Sequence, residues 1–303
     1  MFDFKEIETF YWVATLGSFR AAAAKLNTTQ PAISQRIAGL EQTLGARVLS
    51  RETRIAAPTP RGRELLAYAE KLLGLRAEML AAVGDVSTAR GVFRLGVAET
   101  VVHTWLTQFV KAVQARFPLL ALEIEVDISP NLHERLRMQE IDLAFLIGPV
   151  MAPNALSLPL MTYPLAFIPS PDISWPRRPA RIEEIARFPI VTFSRNTQPY
   201  AAVASLFNGP HSPQTRLHAS ASLATVVRMT VEKLGVAVIP PAIVANELKR
   251  GELRVVRSEA ALPDLTFHAS WIDHPASRAA SEIAAIAARV AQQHDGARGK
   301  SRR

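Results

Sequence analysis

The sequence predicts an α/β protein in three parts: an N-terminal winged helix-turn-helix, a long linker helix, and a C-terminal pair of α/β lobes. Three observations carry this. Residues 18–44 read as two short capped helices on either side of a tight polar turn. Residues 61–89 contain no proline and place apolar side chains at four-three spacing. From Gly91 onward, apolar strands and amphipathic helices alternate.

The chain opens on Asp3-x-x-Glu6, a capping box that leads into a helix over 4–16 with Ile7, Phe10, Tyr11 and Ala14 on one side. Ser18 caps a second helix bearing Phe19, Ala22, Ala23 and Leu26, and Asn27-Thr28 ends it. Thr29 caps a third helix with Gln30 and Pro31 in its first turn, where a missing N–H costs nothing. Ile33, Ile37, Leu40 and Leu44 form its inward stripe, which leaves Gln30, Ser34, Gln35 and Arg36 on other faces. Ala21 to Ala24 are small enough to let two helices cross closely. A face of this kind suits DNA, since Gln reads an adenine edge, Arg a guanine, and Ser or Thr a phosphate oxygen. An ordinary helical hairpin with a polar face has the same pattern, so geometry alone leaves both readings open. After Gly45, ARVLSRETRIAAP reads as two short strands joined near Glu52-Thr53, a wing that presents Arg51 and Arg54 to phosphate; the alternative for either is a solvated surface charge.

The run from Phe10 to Gly62 contains F-x-x-V at 10–13, GSF at 17–19, AA-x-x-L at 22–26, TQPAIS at 29–34, LE at 40–41, LG at 44–45, Arg51 and TPRG at 59–62. It resembles the DNA-binding domain of the LysR-type transcriptional regulators, and the rest of the chain is similar to that family in length and element order. The resemblance implies a ligand-controlled regulator that binds an interrupted inverted repeat in double-stranded DNA as a homodimer or homotetramer, with RNA polymerase as a further partner. On that reading Thr29, Gln30, Pro31, Ser34, Gln35, Arg36, Arg51 and Arg54 form the DNA site. One departure concerns base preference: the family more often has Arg or Lys after the Ser and then Gln, whereas here Gln35 precedes Arg36.

Thr59-Pro60 starts the long helix, on which Leu65, Ala69, Leu72, Arg76, Met79, Val83 and Val86 recur, with Gly62, Leu66, Leu73 and Leu80 beside them. A 60-residue domain cannot bury such a face, so it wants a partner helix or its own downstream domain. The resemblance implies the former, a linker that pairs two subunits. Strands are expected at 92–98, 121–129, 141–149, 189–193, 216–220, 236–240, 253–256 and 265–272, with helices near 101–116, 131–139, 181–187, 199–207, 222–234, 241–249 and 277–293. The domain boundaries expected are 1–60 for the winged helix-turn-helix, 61–89 for the linker, 90–161 with 266–293 for the first lobe, 162–265 for the second, and 294–303 for a disordered basic tail. The resemblance makes the two lobes a periplasmic-binding-protein-like effector domain.

In two-lobed α/β folds, ligands lie at the carboxyl ends of strands, where helix N-termini point N–H groups into the crevice. Those ends give Glu99, Thr100 and Val101, then Ser129 and Asn131, then Phe145 and Ile147 from one lobe. Ser194, Arg195, Asn196, Thr197, His218 and Ser220 come from the other. The resemblance gives Thr100 the role of holding a small carboxylate or aromatic acid. Glu99 conflicts with an anionic ligand: it faces away, pairs with Arg195, or accepts from an amine or hydroxyl of the effector. His103 and His218 lack any metal-ligand spacing and are expected to pack or hydrogen-bond.

Composition bounds the remaining classes. The 303 residues hold no Cys, which excludes disulfides, a thiol nucleophile and thiol redox sensing. Half of the net charge of +8 sits in the tail, with seven Lys/Arg against five Asp/Glu in residues 1–60 and five against one in 289–303. Charge thus permits DNA binding, and the motif argues for it. No signal-peptide pattern, membrane-length apolar run, phosphate-binding loop or nucleophile elbow is present, so a cytoplasmic protein without catalytic residues, metal or cofactor is expected. A regulator that needs no effector remains an alternative, as does, more remotely, a cytosolic small-molecule-binding protein of the same two-lobed fold.

Overall fold

The computed structural model describes residues 2–50, 56–83, 91–208, 215–274 and 277–300. Three helices form the N-terminal unit: α1 (Phe4–Leu16), α2 (Phe19–Lys25) and α3 (Gln30–Leu44). Each begins at its expected cap. Asp3 and Glu6 bond each other's backbone N–H, Ser18 Oγ accepts from Ala21 N–H, and Thr29 Oγ1 accepts from Ala32 N–H. Phe10, Val13, Ala22, Ile33, Ile37 and Leu40 are buried together, whereas Leu44, expected on the inward stripe, is 36% exposed because α3 outruns the helices it packs on.

Residues 51–55 at the centre of the expected wing lie outside the described residues. Its arms pair antiparallel at one bridge, Leu49 with Pro58, supported by Ser50 N–H to Ala57 O at 2.8 Å and Thr59 N–H to Val48 O at 3.0 Å. Proline has no N–H with which to extend that ladder. Arg51 and Arg54 lie outside the described residues. Thr59 caps α4 (Pro60–Val83), its hydroxyl accepting from Gly62 N–H at 3.0 Å. The glycine of TPRG is explained by packing: a Cβ on Gly62 would lie 2.0 Å from the Val48 carbonyl oxygen. The expected continuation of the linker to 89 lies outside the described residues.

Lobe I holds a five-stranded sheet in the order β2-β1-β3-β9-β4, formed by β1 (Gly91–Val97), β2 (Leu120–Val126), β3 (Leu143–Ile147), β4 (Ala155–Pro164) and β9 (Asp264–Ile272). Strands β1, β2 and β3 run parallel, and β9 is antiparallel to both neighbours. Lobe II holds four strands in the order β5-β8-β6-β7: β5 (Ala166–Ile168), β6 (Ile190–Phe193), β7 (Leu217–Ser220) and β8 (Val236–Ile239). The chain crosses between lobes at Pro164 and returns at Asp264, residues paired across β4 and β9.

Three further expectations are corrected. The helix expected over 101–116 is two, α5 (Glu99–Val102) and α6 (Leu106–Arg116), because the Thr104 hydroxyl bonds the carbonyls of Thr100 and Val101 and Trp105 turns fully inward. The 253–256 segment is not a strand; only Val256 bridges to Phe167, where β5 is too short to extend the pairing. Strand β4 is not among the expected strands, and in it Met161 rather than Leu160 faces Phe267, a bulge beside Pro159, which lacks the ladder N–H. Finally, α12 (Arg278–Lys300) continues through the expected disordered tail; 294–300 contains no proline, and its two glycines do not stop the helix.

The N-terminal unit rests on lobe I of its own chain. Lys25 Nζ lies 2.8 Å from Asp142 Oδ1 and 5.2 Å from the centre of the Trp12 ring, and Arg94 Nη2 donates to Asn27 Oδ1. Trp12 meets His274 edge to face at 5.1 Å. The charge of Lys25 is therefore spent on this seam.

Candidate functional site

Two surfaces and one cavity bring polar chemistry together. The first surface is the outer face of α3. Thr29, Gln30, Pro31, Ser34 and Gln35 are all exposed there, at one, four and five residue steps that share one side of a helix. Arg36 differs: it is half-buried, and its Nη1 reaches Thr9 Oγ1 at 3.5 Å. The second surface is on α4, where Ala69 and Leu73 pack into the N-terminal core while Tyr68, Leu72, Leu75 and Met79 are 39–63% exposed. Their four-three-four spacing makes an apolar stripe that no described part of the same chain covers.

The cavity, of about 250 Å³, opens between the lobes. Lobe I contributes residues at the ends of β1, β2 and β3 and at the start of α7 (Ser129–Arg137). Lobe II contributes the end of β6 and the starts of α9 (Gln198–Ser205) and α10 (Leu223–Val231). Its body is apolar, with Ile128, Leu146, Val150, Phe193, Pro199 and Leu223 among its walls. Of the residues expected from sequence, Glu99, Thr100, Ser129, Ile147 and Thr197 line it. Ser129 Oγ accepts from Ile147 N–H at 3.0 Å, and Thr197 Oγ1 donates to Ser194 O at 2.6 Å.

The other expected residues sit elsewhere. Val101 and Phe145 are wholly buried in the lobe I core and outside the cavity lining, which on β3 begins only at Leu146. Asn131 is exposed, with its amide held by Asp127 Oδ1 at 2.9 Å. Ser194 is half-buried and Arg195 and Asn196 are exposed in the turn before α9, outside the cavity lining. His218 is exposed on the edge strand β7, and Ser220 holds the following turn by bonding Ser222. Sequence reasoning missed Asp127, His133 and Gln198 among the polar lining residues. Asp127 was within reach of the strand-end rule, but the alternation of 121–129 was read as strand through Ser129, whereas β2 stops at Val126.

Glu99 joins the lobes. Its Oε2 accepts from Leu223 N–H at 2.6 Å, the first residue of α10 in the opposite lobe, and its Oε1 lies 3.4 Å from His103 Nε2 and 3.5 Å from Ser222 Oγ. Burial raises its carboxyl, but the bonds from His103 and from the Leu223 and Ala224 N–H groups outweigh burial and hold it below the ordinary carboxylate value. Of the three placements left open by the sequence, the pairing with Arg195 is not the one adopted. Among the described residues no group of His, Asp or Glu is placed to hold a metal, and no helix is long and apolar enough to cross a membrane.

The helical N-terminal unit and the two lobes match two sequence families in that order: the bacterial regulatory helix-turn-helix protein of the lysR family over residues 4–63, and the LysR substrate binding domain over residues 87–292. The chain belongs to the LysR family of transcriptional regulators. This LysR regulator is 27% identical over 260 residues to the HTH-type transcriptional regulator BbuR of Bordetella bronchiseptica, covering 85% of this chain and 79% of that one. It is 29% identical over 262 residues to a probable hydrogen peroxide-inducible genes activator of Mycobacterium leprae, covering 85% and 84%. Full-length OxyR of Pseudomonas aeruginosa has the same fold, with a TM-score of 0.65 at 22% identity over 96% of this chain and 95% of that one. So does full-length LysG of Corynebacterium glutamicum with bound effector Arg, with a TM-score of 0.62 at 19% identity over 96% and 98%. Whatever a peroxide-inducible relative senses, this LysR regulator has no Cys with which to form a sulfenic acid or disulfide.

Proposed function

We propose that this LysR regulator reads DNA with Gln30, Ser34 and Gln35 of α3 and answers to a small molecule held in the interlobe cavity. The observation that carries the DNA site is the row of exposed polar residues on α3, Gln30, Ser34 and Gln35, beside its buried Ile33, Ile37 and Leu40. Gln30 and Gln35 can each engage an adenine edge, and Thr29, Pro31 and Ser34 sit where a helix N-terminus approaches the phosphate backbone. Arg36 acts in phosphate contact or support rather than in free groove readout, since Thr9 holds one of its nitrogens. Arg51 and Arg54 join the site as phosphate contacts of the wing.

The exposed stripe of α4 pairs with the same stripe of a second copy, giving a homodimer, or a homotetramer by pairing of dimers. Two α3 helices then meet an interrupted inverted repeat. The oligomer works at promoters in the cytoplasm, alongside RNA polymerase. Binding to DNA upstream of its own and adjacent genes tests the reading, comparing the wild type with Gln30→Ala plus Gln35→Ala across a salt series. Selective binding with a steep salt slope, with selectivity lost in the double variant, is expected. Equal selectivity in the two proteins overturns the assignment of α3.

A further inference from the structure

The cavity between the lobes is supplied with its own anions. Three helices of eight or nine residues begin at its wall, and the chain satisfies the start of each. At α10 the carboxylate of Glu99 accepts from Leu223 N–H at 2.6 Å. At α7 Asp127 Oδ1 accepts from Ile128 N–H at 2.7 Å and from the Asn131 amide. At α9 the Thr197 hydroxyl accepts from Tyr200 N–H. The start of α10, which would draw a ligand carboxylate, is thus met by a carboxylate of this chain, a second carboxylate stands just before α7, and α9 carries its own hydroxyl cap.

No lysine or arginine is among the described lining residues. Arg195, two positions from Phe193 and Thr197 in sequence, lies outside the lining and is exposed. An acid entering the cavity would meet two carboxylates across an apolar interior, where repulsion is poorly screened. A donor meets the reverse. Asp127 Oδ2 and the Thr100 hydroxyl have no hydrogen bond among the described residues, and both residues line the cavity.

We infer that the cavity takes a ligand with an apolar body and a donating polar end, an amine or more weakly an alcohol, and discriminates against carboxylates. This rests on the reading of the cavity as the effector site. The volume of about 250 Å³ holds roughly eight water-sized groups at about 30 Å³ each, which sets the size of the body at a single ring or a short branched chain.

Benzylamine, benzyl alcohol and benzoate, with their cyclohexyl counterparts, are matched probes of that size. Their binding to the full chain is measured by ligand-observed NMR. Ala221→Trp, a change at an exposed wall residue, fills the cavity and identifies which binding belongs to it. The amines are expected to bind at least about tenfold more tightly than the acids and to be lost in Ala221→Trp. In Glu99→Gln with Asp127→Asn, which keeps an acceptor for Leu223 N–H, the lead of the amines falls to within about threefold. Acids that equal or outrank amines, yet are lost in Ala221→Trp, overturn the donor class while leaving the effector cavity standing. If no probe responds to Ala221→Trp, the cavity reading fails, and the proposal fails with it.

Discussion

The seam between the DNA-reading unit and lobe I is built around a histidine that is kept neutral. His274 is partly buried between Trp12 of α1, Lys25 of α2 and the end of β9. Burial, reinforced by the charge of Lys25 and opposed by Asp142 and Asp273, lowers its pKa from 6.5 to about 4. Tyr11 shares the seam, its phenol pushed up to about 12 by burial against an opposing bond from Thr15. When the N-terminal unit lifts away, His274 returns to water and to its ordinary value near 6.5. The docked state therefore binds fewer protons than the undocked state between about pH 4 and 6.5, so docking is at full strength above that window and weakens as pH falls through it. At about 1.36 kcal/mol per pH unit, the ceiling over the window is about 3 kcal/mol, and at pH 5 about 2 kcal/mol. Partial exposure of the ring reduces the latter to about 1 kcal/mol, a factor of roughly five to ten in the docking equilibrium. His274→Phe keeps the edge contact with Trp12 and removes the titration. Amide protection of α1, corrected for intrinsic exchange at each pH, should fall by that factor in the wild type between about pH 7.5 and about pH 5, relative to the variant. Parallel profiles for the two proteins would refute the reasoning.

Three other outcomes follow from the packing. Gly62→Ala drives a Cβ to 2.0 Å from a backbone oxygen that has no side-chain freedom to yield, so the N-terminal unit should lose about 2 kcal/mol or more in thermal unfolding; an unshifted transition would contradict the close approach. Leu72→Glu with Leu75→Glu charges the bare stripe of α4, and sedimentation should shift to monomer with helicity retained by circular dichroism; an unchanged sedimentation coefficient removes that face from the interface. Glu99→Ala removes a charged acceptor from the start of α10 and should cost about 1–3 kcal/mol at neutral pH. Because the folded carboxyl lies below its ordinary value of 4.5, its contribution is full above that value and is lost as pH falls through the folded one; the two proteins should converge in acid, and a gap that stays constant to about pH 3 argues against the ion.

Local rules read the N-terminal unit well because its signals are local: caps at Asp3, Ser18, Thr29 and Thr59 each bond the N–H that their spacing implies. The two-lobed order was legible from alternation for the same reason. The cavity was harder, since its lining depends on where a strand stops and which way a helix start faces. Reading β2 three residues too long missed Asp127, and Val101 and Phe145, chosen by their nearness to strand ends, are buried in the core short of the cavity. Two relations lay outside any sequence window: Glu99 reaching α10 across 124 positions, and Lys25 reaching Asp142 across 117. Pattern counting finds neither, because both are set by how folded units meet.

The pairing of Pro164 with Asp264 has a consequence for the construction of the molecule. Strands β4 and β9 form an antiparallel hairpin whose turn has been replaced by the whole of lobe II, residues 165–263. The ends of that insert are one strand spacing apart, about 4.8 Å. A two-residue turn between Pro164 and Asp264 would therefore close lobe I on itself and yield a shorter regulator with one lobe, its sheet intact and no pocket to fill. The sensing half is a module grafted into a loop, so it is exchangeable in principle for another whose ends lie equally close.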